Sequence, residues 1–387
     1  MNLKKWMTMK NEQIFFIKIK KKDGQEFFKL LNKNFKNVNI INPKFKIETG
    51  FDFILFPLEE DNIKIENFIN IIPDKIPFEI ISKEGRLNSK FKPKTLYDIL
   101  KNELTDESLR LIPNSYDILG RIAIVEFENF KNINEKPIKK IKKKIAKAII
   151  QLNKNVETVF EKKSEIKGNY RIRKLEFLKG IKNSETIYKE SNCIFKLDVE
   201  NTFFTPRLIY ERKRISECNI NENELIIDLF AGVGPFSIQI AKKHKVYIYS
   251  FDINPLAYQY LQENIERNQL KGYIYPFNMN VKLLLEPFNE LSEKLKNKAD
   301  RIIMNLPETA INFIDVACSL MKKSGGILHI YQFCEKPNPI KKALETVTKT
   351  LENFNWNIKE VLVSKIVKSY SPKSDMVVVD AEIEYLG

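Results

Sequence analysis

Two glycines directly after a short apolar stretch could hold a ligand against the backbone. The segment Asp-Leu-Phe-Ala-Gly-Val-Gly begins at Asp228 and places Gly232 and Gly234 two residues apart. Glycine has no Cβ, so the chain can turn sharply into a helix and approach a ligand closely. A Gly-x-Gly pair alone is weak evidence, because an ordinary tight turn between a strand and a helix can also use it.

Further polar side chains stand where later strands should end. Asp252 ends the next predicted strand, and a carboxylate there can accept hydrogen bonds from both hydroxyls of a ribose. Ser237 occupies the place of the third glycine in the dinucleotide pattern, so pyrophosphate is a less natural ligand than a nucleoside without one. Asn305 opens Asn-Leu-Pro-Glu after another predicted strand. The spacing therefore predicts a nucleoside site at one edge of a sheet.

The elements that must position these residues alternate strictly between strand and helix from residue 224 onward. This alternation predicts an α/β fold with a mostly parallel sheet covered on both faces. The last two predicted strands, Glu360–Val367 and Met376–Tyr385, should form an antiparallel hairpin at its end. Two smaller α+β domains precede this part, and we place the three domains at residues 1–88, 89–190 and 191–387. Among their elements we expect strands at Gln13–Lys20, Phe51–Leu58, Tyr170–Leu175 and Cys193–Val199 and a helix at Ile63–Ile72.

The charge of the chain indicates a polyanionic partner. There are 65 Lys and Arg against 50 Asp and Glu, which gives a net charge of +15. Eight lysines fall within Lys131–Lys147, where isoleucines recur every three or four residues. That pattern predicts an amphipathic helix with a basic face. The face is either simply solvated or in contact with nucleic-acid phosphates, and we favour the second through Lys139, Lys142 and Lys143.

Cysteine and histidine usage narrows the chemistry further. No two of the four cysteines form Cys-x-x-Cys, so neither a zinc site nor a disulfide framework is expected. Scattered thiols are typical of a reducing cytoplasm. With only two histidines in the chain, a carboxylate is the expected general base. The same cysteine and histidine usage leads us to expect no metal. No apolar run approaches the ~18 residues of a membrane span, so we expect no membrane partner.

The three motifs, in this order, resemble those of class I S-adenosylmethionine-dependent methyltransferases. One more segment, Phe203-Phe-Thr-Pro-Arg-Leu-Ile-Tyr-Glu-Arg-Lys-Arg-Ile, is similar to the archaeal and eukaryal tRNA (guanine-37 N1)-methyltransferase family. Residues 163–173 and 366–372 carry the same resemblance, which runs from about Phe91 to the end of the chain. Before that point only size and position match. The resemblance implies a Rossmann-like catalytic domain, S-adenosylmethionine as cofactor, tRNA as partner, and a first domain that reads tRNA shape.

The family likeness also implies roles for individual residues. Guanine N1 carries a proton at neutral pH, so methylation needs a base and a partner for the charge that grows on O6. By resemblance Glu211 is that base and Arg171 the O6 partner, while Asn305 orients the guanine or the donor. The implied donor-binding residues are Arg212, Phe230, Gly232, Gly234, Asp252, Ile253, Asn280, Val281, Asn305 and Pro307. The implied RNA contacts are Arg173, Arg207 and Tyr370, with the three lysines named above.

Some residues depart from the family pattern or have a plainer interpretation. Phe203 stands where the family often has tyrosine, and Asn278 and Asn280 stand where an acidic residue usually faces the adenine. Spacing alone would make Glu211 an ion-pair partner of a neighbouring arginine on a helix. Tyr370, taken by itself, is as typical of packing as of stacking on a base.

Three other functions remain open at this level. A related enzyme of the wyosine pathway, either a C7-methyltransferase or an aminocarboxypropyl transferase, would have the same donor site. A non-catalytic RNA-binding protein could keep the donor pocket as part of the fold. The presence of Glu211, Arg171 and Asn305 together argues against it. Adenine exocyclic-amine methyltransferases typically show Asn/Asp-Pro-Pro-aromatic, whereas this chain has Asn-Leu-Pro-Glu. We expect a cytoplasmic monomer, and the sequence does not indicate which tRNAs it modifies.

Overall fold

A computed structural model describes residues 13–34, 40–59, 72, 75–130, 135–164, 168–287 and 289–387, with only the backbone described at 31–34 and 135–137. The chain divides into two compact units, Met1–Lys94 and Thr95–Gly387. Among the described residues no helix is both long and apolar enough to cross a membrane. The division of the second unit near residue 190 stays a prediction.

The first unit contains a four-stranded sheet and one described helix. Apolar side chains on both faces of its strand Gln13–Lys20 explain the sheet, because Ile17 and Ile19 enter one core cluster and Ile14 and Phe16 enter another. All pairings are antiparallel, in the order β2-β3-β1-β4. The strands predicted at 13–20 and 51–58 are confirmed, whereas most of the helix predicted at Ile63–Ile72 lies outside the described residues. The elements are β1 (Gln13–Lys20), α1 (Gly24–Asn34), β2 (Glu48–Thr49), β3 (Phe53–Pro57) and β4 (Phe78–Glu84).

The second unit begins with a small α+β layer. Its longest helix is the one predicted from the isoleucine spacing, and Ile138, Ile145 and Ile149 are buried against the sheet as that spacing required. The sheet order is β5-β6-β7-β8, and the helix connects the parallel pair β6 and β7. The elements are α2 (Leu96–Leu100), α3 (Asp106–Leu109), β5 (Tyr116–Leu119), β6 (Ile122–Val125), α4 (Glu135–Leu152), β7 (Thr158–Lys162) and β8 (Leu175–Gly180).

The strand predicted at Tyr170–Leu175 is wrong. Residues 168–171 form a turn, and the strand begins only at Leu175. Arg171 adopts a left-handed backbone with φ 54°, which a strand cannot contain. A separate hairpin follows, made of β9 (Glu185–Glu190) and β10 (Cys193–Asp198), and it spans the predicted domain boundary.

The remainder is a seven-stranded sheet with helices on both faces. Its order is β13-β12-β11-β14-β15-β17-β16, with five parallel strands and the last two antiparallel, which confirms the predicted fold class. The order reverses between β11 and β14, the place where such sheets bind ligands. The strands are β11 (Leu225–Asp228), β12 (Tyr247–Asp252), β13 (Tyr273–Asn278), β14 (Arg301–Met304), β15 (Gly326–Glu335), β16 (Trp356–Ser371) and β17 (Ser374–Tyr385). The helices are α5 (Ile209–Glu217), α6 (Pro235–Lys243), α7 (Pro255–Glu266), α8 (Glu290–Leu295), α9 (Ile314–Leu320) and α10 (Pro339–Glu352).

Candidate active site

The glycine loop connects β11 to α6 at the point where the strand order reverses. Both glycines have a left-handed backbone, with φ 56° at Gly232 and 89° at Gly234. A Cβ on Gly234 would approach Leu261 Cδ1 to 2.5 Å, so this glycine is needed for packing. A Cβ on Gly232 would meet only Phe203 O, at 3.7 Å. The space beside Gly232 is therefore open to a ligand.

Two carboxylates support this loop from below. Asp252 accepts hydrogen bonds from the backbone N–H groups of Gly232 and Asn254, both at 2.8 Å, and it ties the end of β12 to the loop. Burial raises the pKa of Asp252 and raises that of Asp228 to about 7. Ser237 donates to Asp228 at 2.7 Å, which gives a physical reason for serine at this position. Sequence reasoning missed this contact.

The remaining donor-side residues surround the same edge of the sheet. Ile253 is 37% exposed beside Asp252 and offers an apolar surface. Asn280 caps the short helix Val281–Leu285, in which Val281 is buried. The ring of Phe230 packs against that of Phe313, with ring centres 5.1 Å apart. A carboxylate at a strand end, an apolar side chain and an open glycine backbone fit the ribose, adenine and methionine parts of S-adenosylmethionine.

A cleft of about 400 Å³ lies between the small α+β layer and the ends of β14 and β15. Its lining brings together the predicted residues Arg171, Arg173, Arg207, Asn305, Pro307 and Tyr370. Asn305 Oδ1 is buried and has no hydrogen-bond partner among the described residues. A buried acceptor without a partner costs free energy, so the arrangement favours a ligand that donates to it.

Arg171 stands over this cleft in a strained conformation. Its backbone N–H donates to Gly168 O at 3.1 Å, and its left-handed φ is uncommon for a residue with a side chain. The guanidinium forms a two-pronged pair with Glu308, with Nη1 2.7 Å from Oε2 and Nη2 3.1 Å from Oε1. Three N–H donors of the guanidinium are left for another acceptor.

Other cations gather at the same cleft. Arg207 pairs with Asp117 at 3.0 Å, while Arg173 and Lys368 have no ion-pair partner in the described part of the chain. Burial lowers the pKa of both, and Arg207 lowers that of Lys368 further. Tyr370, 46% exposed, stacks on Phe333 with ring centres 3.9 Å apart. Lys368 is a cleft residue to which the sequence analysis gave no role, although it lies within residues 366–372.

Glu211 lies outside the cleft lining, one helical turn beyond Leu208, which does line it. Its carboxylate is only 4% exposed. It accepts from Arg214 at 2.8 and 3.1 Å, lies 2.6 Å from Lys365 Nζ, and receives the Tyr331 hydroxyl at 3.4 Å. In this arrangement Glu211 is an ion-pair partner, as spacing alone suggested.

Arg212 and the lysine-rich helix have roles that the sequence did not indicate. The buried guanidinium of Arg212 binds Glu190 through two N–H groups and Thr205 O at 3.1 Å, so it anchors the chain segment before α5. Lys142 is largely buried against Glu161, with Phe127 5.0 Å away. Lys139 and Lys143, by contrast, are exposed.

Comparison with known proteins gives matches over most of the chain. The model of the TRM5/TYW2 methyltransferase domain matches residues 186–359, and that of the TYW2 N-terminal domain matches residues 96–184. A tRNA (guanine(37)-N(1))-methyltransferase Trm5b of Pyrococcus abyssi is 35% identical and covers 84% of this chain and 91% of its own. A solved complex of aTrm5 and tRNALeu is 32% identical, with a TM-score of 0.65, covering 95% and 99% of the two chains.

A relative with a different reaction also matches. The tRNA(Phe) (4-demethylwyosine(37)-C(7)) aminocarboxypropyltransferase of Methanocaldococcus jannaschii is 33% identical. The match covers 98% of that protein but 70% of this chain. The Trm5b match therefore extends over more of the present sequence.

Proposed function

The chain belongs to the TRM5/TYW2 methyltransferase family, and we infer that it transfers the methyl group of S-adenosylmethionine to N1 of guanine 37 in tRNA. The observation that carries this function is the cleft lined by both Arg171 and Asn305, whose buried Oδ1 has no hydrogen-bond partner among the described residues. A donor and an acceptor on the lining of one cleft match the C=O and N–H groups on the Watson–Crick edge of guanine.

The reaction makes two demands on the protein. The bond from N1 to the methyl carbon forms as the sulfur–carbon bond breaks, and the N1 proton must pass to a base. S-adenosylmethionine supplies an electrophilic methyl group and leaves as a neutral thioether. As N1 loses its proton, negative charge grows on O6, where a positioned cation lowers the barrier.

Arg171 is the proposed partner of O6. Its guanidinium lines the cleft, is held by Glu308 and still has free donors, so it is already oriented before substrate binds. Asn305 Oδ1 then accepts from an N–H group of the guanine, and Pro307 restricts the loop that carries both Asn305 and Glu308. These assignments give the guanidinium of Arg171 and the amide oxygen of Asn305 complementary roles toward one guanine.

Glu211 remains the proposed base, with Glu308 as the competing candidate. Glu308 is nearer the cleft through its pair with Arg171, whereas Glu211 lies behind the lining with Lys365 and Arg214 on its carboxylate. Catalytic hydrogen bonds are often long before substrate binds and tighten in the complex, so a position behind the lining is compatible with Glu211 as the base. For Glu211 to accept the N1 proton at Oε1, Lys365 Nζ must move away from that oxygen.

The remaining cations suit the RNA backbone. Arg173, Arg207 and Lys368 would face phosphates beside the target base, and Tyr370 offers an exposed ring for stacking. Exposed Lys139 and Lys143 would add contacts farther away. We further propose that the protein acts as a monomer in the cytoplasm, with residues 1–88, 89–190 and 191–387 as its domains.

A second function is favoured by one observation, the match of residues 96–184 to the TYW2 N-terminal domain. The deciding experiment incubates the full chain and labelled methyl donor with unmodified tRNA and, separately, with tRNA bearing the wyosine precursor. Nucleoside mass spectrometry should find 1-methylguanosine at position 37 of unmodified tRNA. A product found only on precursor-bearing tRNA, or an aminocarboxypropyl adduct, would replace this function by the second.

A further inference from the structure

A continuous chain of buried charged groups lies behind Glu211. Arg214 donates to Glu211 from Nε and Nη2, and its Nη1 donates to Asp380. Asp380 Oδ1 lies 2.8 Å from His329 Nδ1, and both residues are only 2% exposed. Neither the donor pocket nor the cleft uses these groups.

Arg301 fixes the state of His329. Its Nη1 lies 2.8 Å from His329 Nε2, and because a guanidinium can only donate, Nε2 must accept. The proton of a neutral ring is then on Nδ1, which lies 2.8 Å from Asp380 Oδ1 without the geometry of a hydrogen bond. Burial lowers the pKa of His329, so the ring is neutral at neutral pH. Burial alone would raise the pKa of Asp380, but His329 and Arg214 outweigh it and hold that pKa low.

The charges around Glu211 come from every element packed against it. Arg214 lies on its own helix, Tyr331 and His329 on β15, Lys365 on β16, Asp380 on β17 and Arg301 on β14. Arg301 also pairs with Glu224 at 3.0 Å and lies 3.7 Å from Cys218 Sγ. Arg214 and Lys365 both contact the Glu211 carboxylate directly, at 2.8 and 2.6 Å. Asp380 is the anion on the far side of Arg214, where it offsets one of these cations.

We propose that Asp380 is a positioning residue that keeps Glu211 basic enough to accept the N1 proton. It does so by binding Arg214. Arg214 orients the Glu211 carboxylate, and the negative charge of Asp380 partly offsets the attraction of Arg214 for that carboxylate. This inference rests on the proposed function, because it takes Glu211 as the base. His329 and Arg301 act one step farther back and hold Asp380 as a charged acceptor.

The test is the pH dependence of the single-turnover rate of the full chain with saturating donor and tRNA. The acid limb of this profile is the range in which the rate falls at low pH, and the plateau is the constant rate above it. Asp380→Asn should move the acid limb to lower pH by about 1 unit and lower the plateau about tenfold, because Arg214 then acts on Glu211 with its full charge. Arg214→Gln should move the limb the opposite way. Once Arg214 is replaced, adding Asp380→Asn should cause no further shift, because Asp380 acts through Arg214.

Asp375→Asn is the matched control. It makes the same change on the same strand, but Asp375 pairs with Lys336 at 3.2 Å, so the limb should stay in place. A folded Asp380→Asn protein with the native limb and rate would overturn the proposal, and so would a shift that persists without Arg214. If Asp380→Asn does not fold in a thermal melt, an unmoved limb in Arg214→Gln overturns it. Native activity of Glu211→Gln would instead show that Glu211 is not the base.

Discussion

The donor side and the acceptor side of the active site are built in different ways. On the donor side the hydrogen bonds that support the site join residues close in sequence and involve backbone groups. An example is the bond from Gly232 N–H to Asp252, 20 residues apart. On the acceptor side, side-chain ion pairs join distant segments: Arg171 and Glu308 are 137 residues apart. The donor pocket is thus set by one loop and two strand ends, whereas the acceptor cleft needs the small α+β layer, β14 and β16 together.

The cleft also carries positive charge without ion-pair partners, which the donor side lacks. Arg173 and Lys368 are partly buried cations without ion-pair partners among the described residues. Such groups are costly unless an anion joins them. The comparison indicates a donor pocket complete in the protein alone and an acceptor cleft completed by RNA.

The largest effect is expected on the acceptor side. Arg171→Ala should lower the single-turnover rate by about 10²–10³-fold, since removal of one oxyanion donor usually costs that much. Donor affinity by calorimetry should stay unchanged. Arg267→Ala, at the C-cap of α7, is the control and should keep the native rate. Equal losses in donor affinity and rate for Arg171→Ala would contradict the separation of the two sides.

The next effect is on the donor side. Asp252→Ala should weaken donor binding by ~1.5–3 kcal/mol, the range for a hydrogen bond to a charged group. It also frees the Gly232 N–H, so the loop loses a support. Binding of tRNA, followed by filter retention, should be unaffected. Native donor affinity in this variant would remove Asp252 from the ribose site.

A smaller effect is expected for the cleft cation Lys368. Lys368→Gln should weaken tRNA binding about three- to tenfold at low salt and leave donor affinity unchanged, because one phosphate contact is lost. A fluorescence-anisotropy titration measures it. Tighter tRNA binding in Lys368→Gln would show that the lysine is a structural burden rather than a phosphate contact.

The smallest effect concerns the helix α4. Replacing both Lys139 and Lys143 by Gln should reduce the slope of log affinity against log salt by about 2, one for each contact. Lys142→Gln is the comparison, because that lysine is buried against Glu161 and should change stability more than slope. An unchanged slope in the double variant would assign the exposed face to solvent.

The same division explains what the sequence could predict. The strands of the large sheet and the glycine loop follow from local periodicity, and the strand predicted at Met376–Tyr385 runs over Ser374–Tyr385. Arg171 was assigned to a strand because its neighbours alternate, yet the structure has a left-handed turn there. Pairing of Arg214 with Asp380 spans 166 residues, and no local pattern indicates it. Contacts that long depend on tertiary packing, so the acceptor side was the harder part.

Glu211, rather than Glu308, is the proposed acceptor of the N1 proton. The most direct measurement compares single-turnover rates of Glu211→Gln and Glu308→Gln between pH 6 and 9, with tRNA and donor saturating. Glu211→Gln should be slower by about 10²–10⁴-fold at pH 7, the range for loss of a general base, and should recover as pH rises. Glu308→Gln should lose less, because it only releases Arg171. A native single-turnover rate for Glu211→Gln, with the large and pH-dependent loss of rate in Glu308→Gln instead, would show that Glu308 is the base.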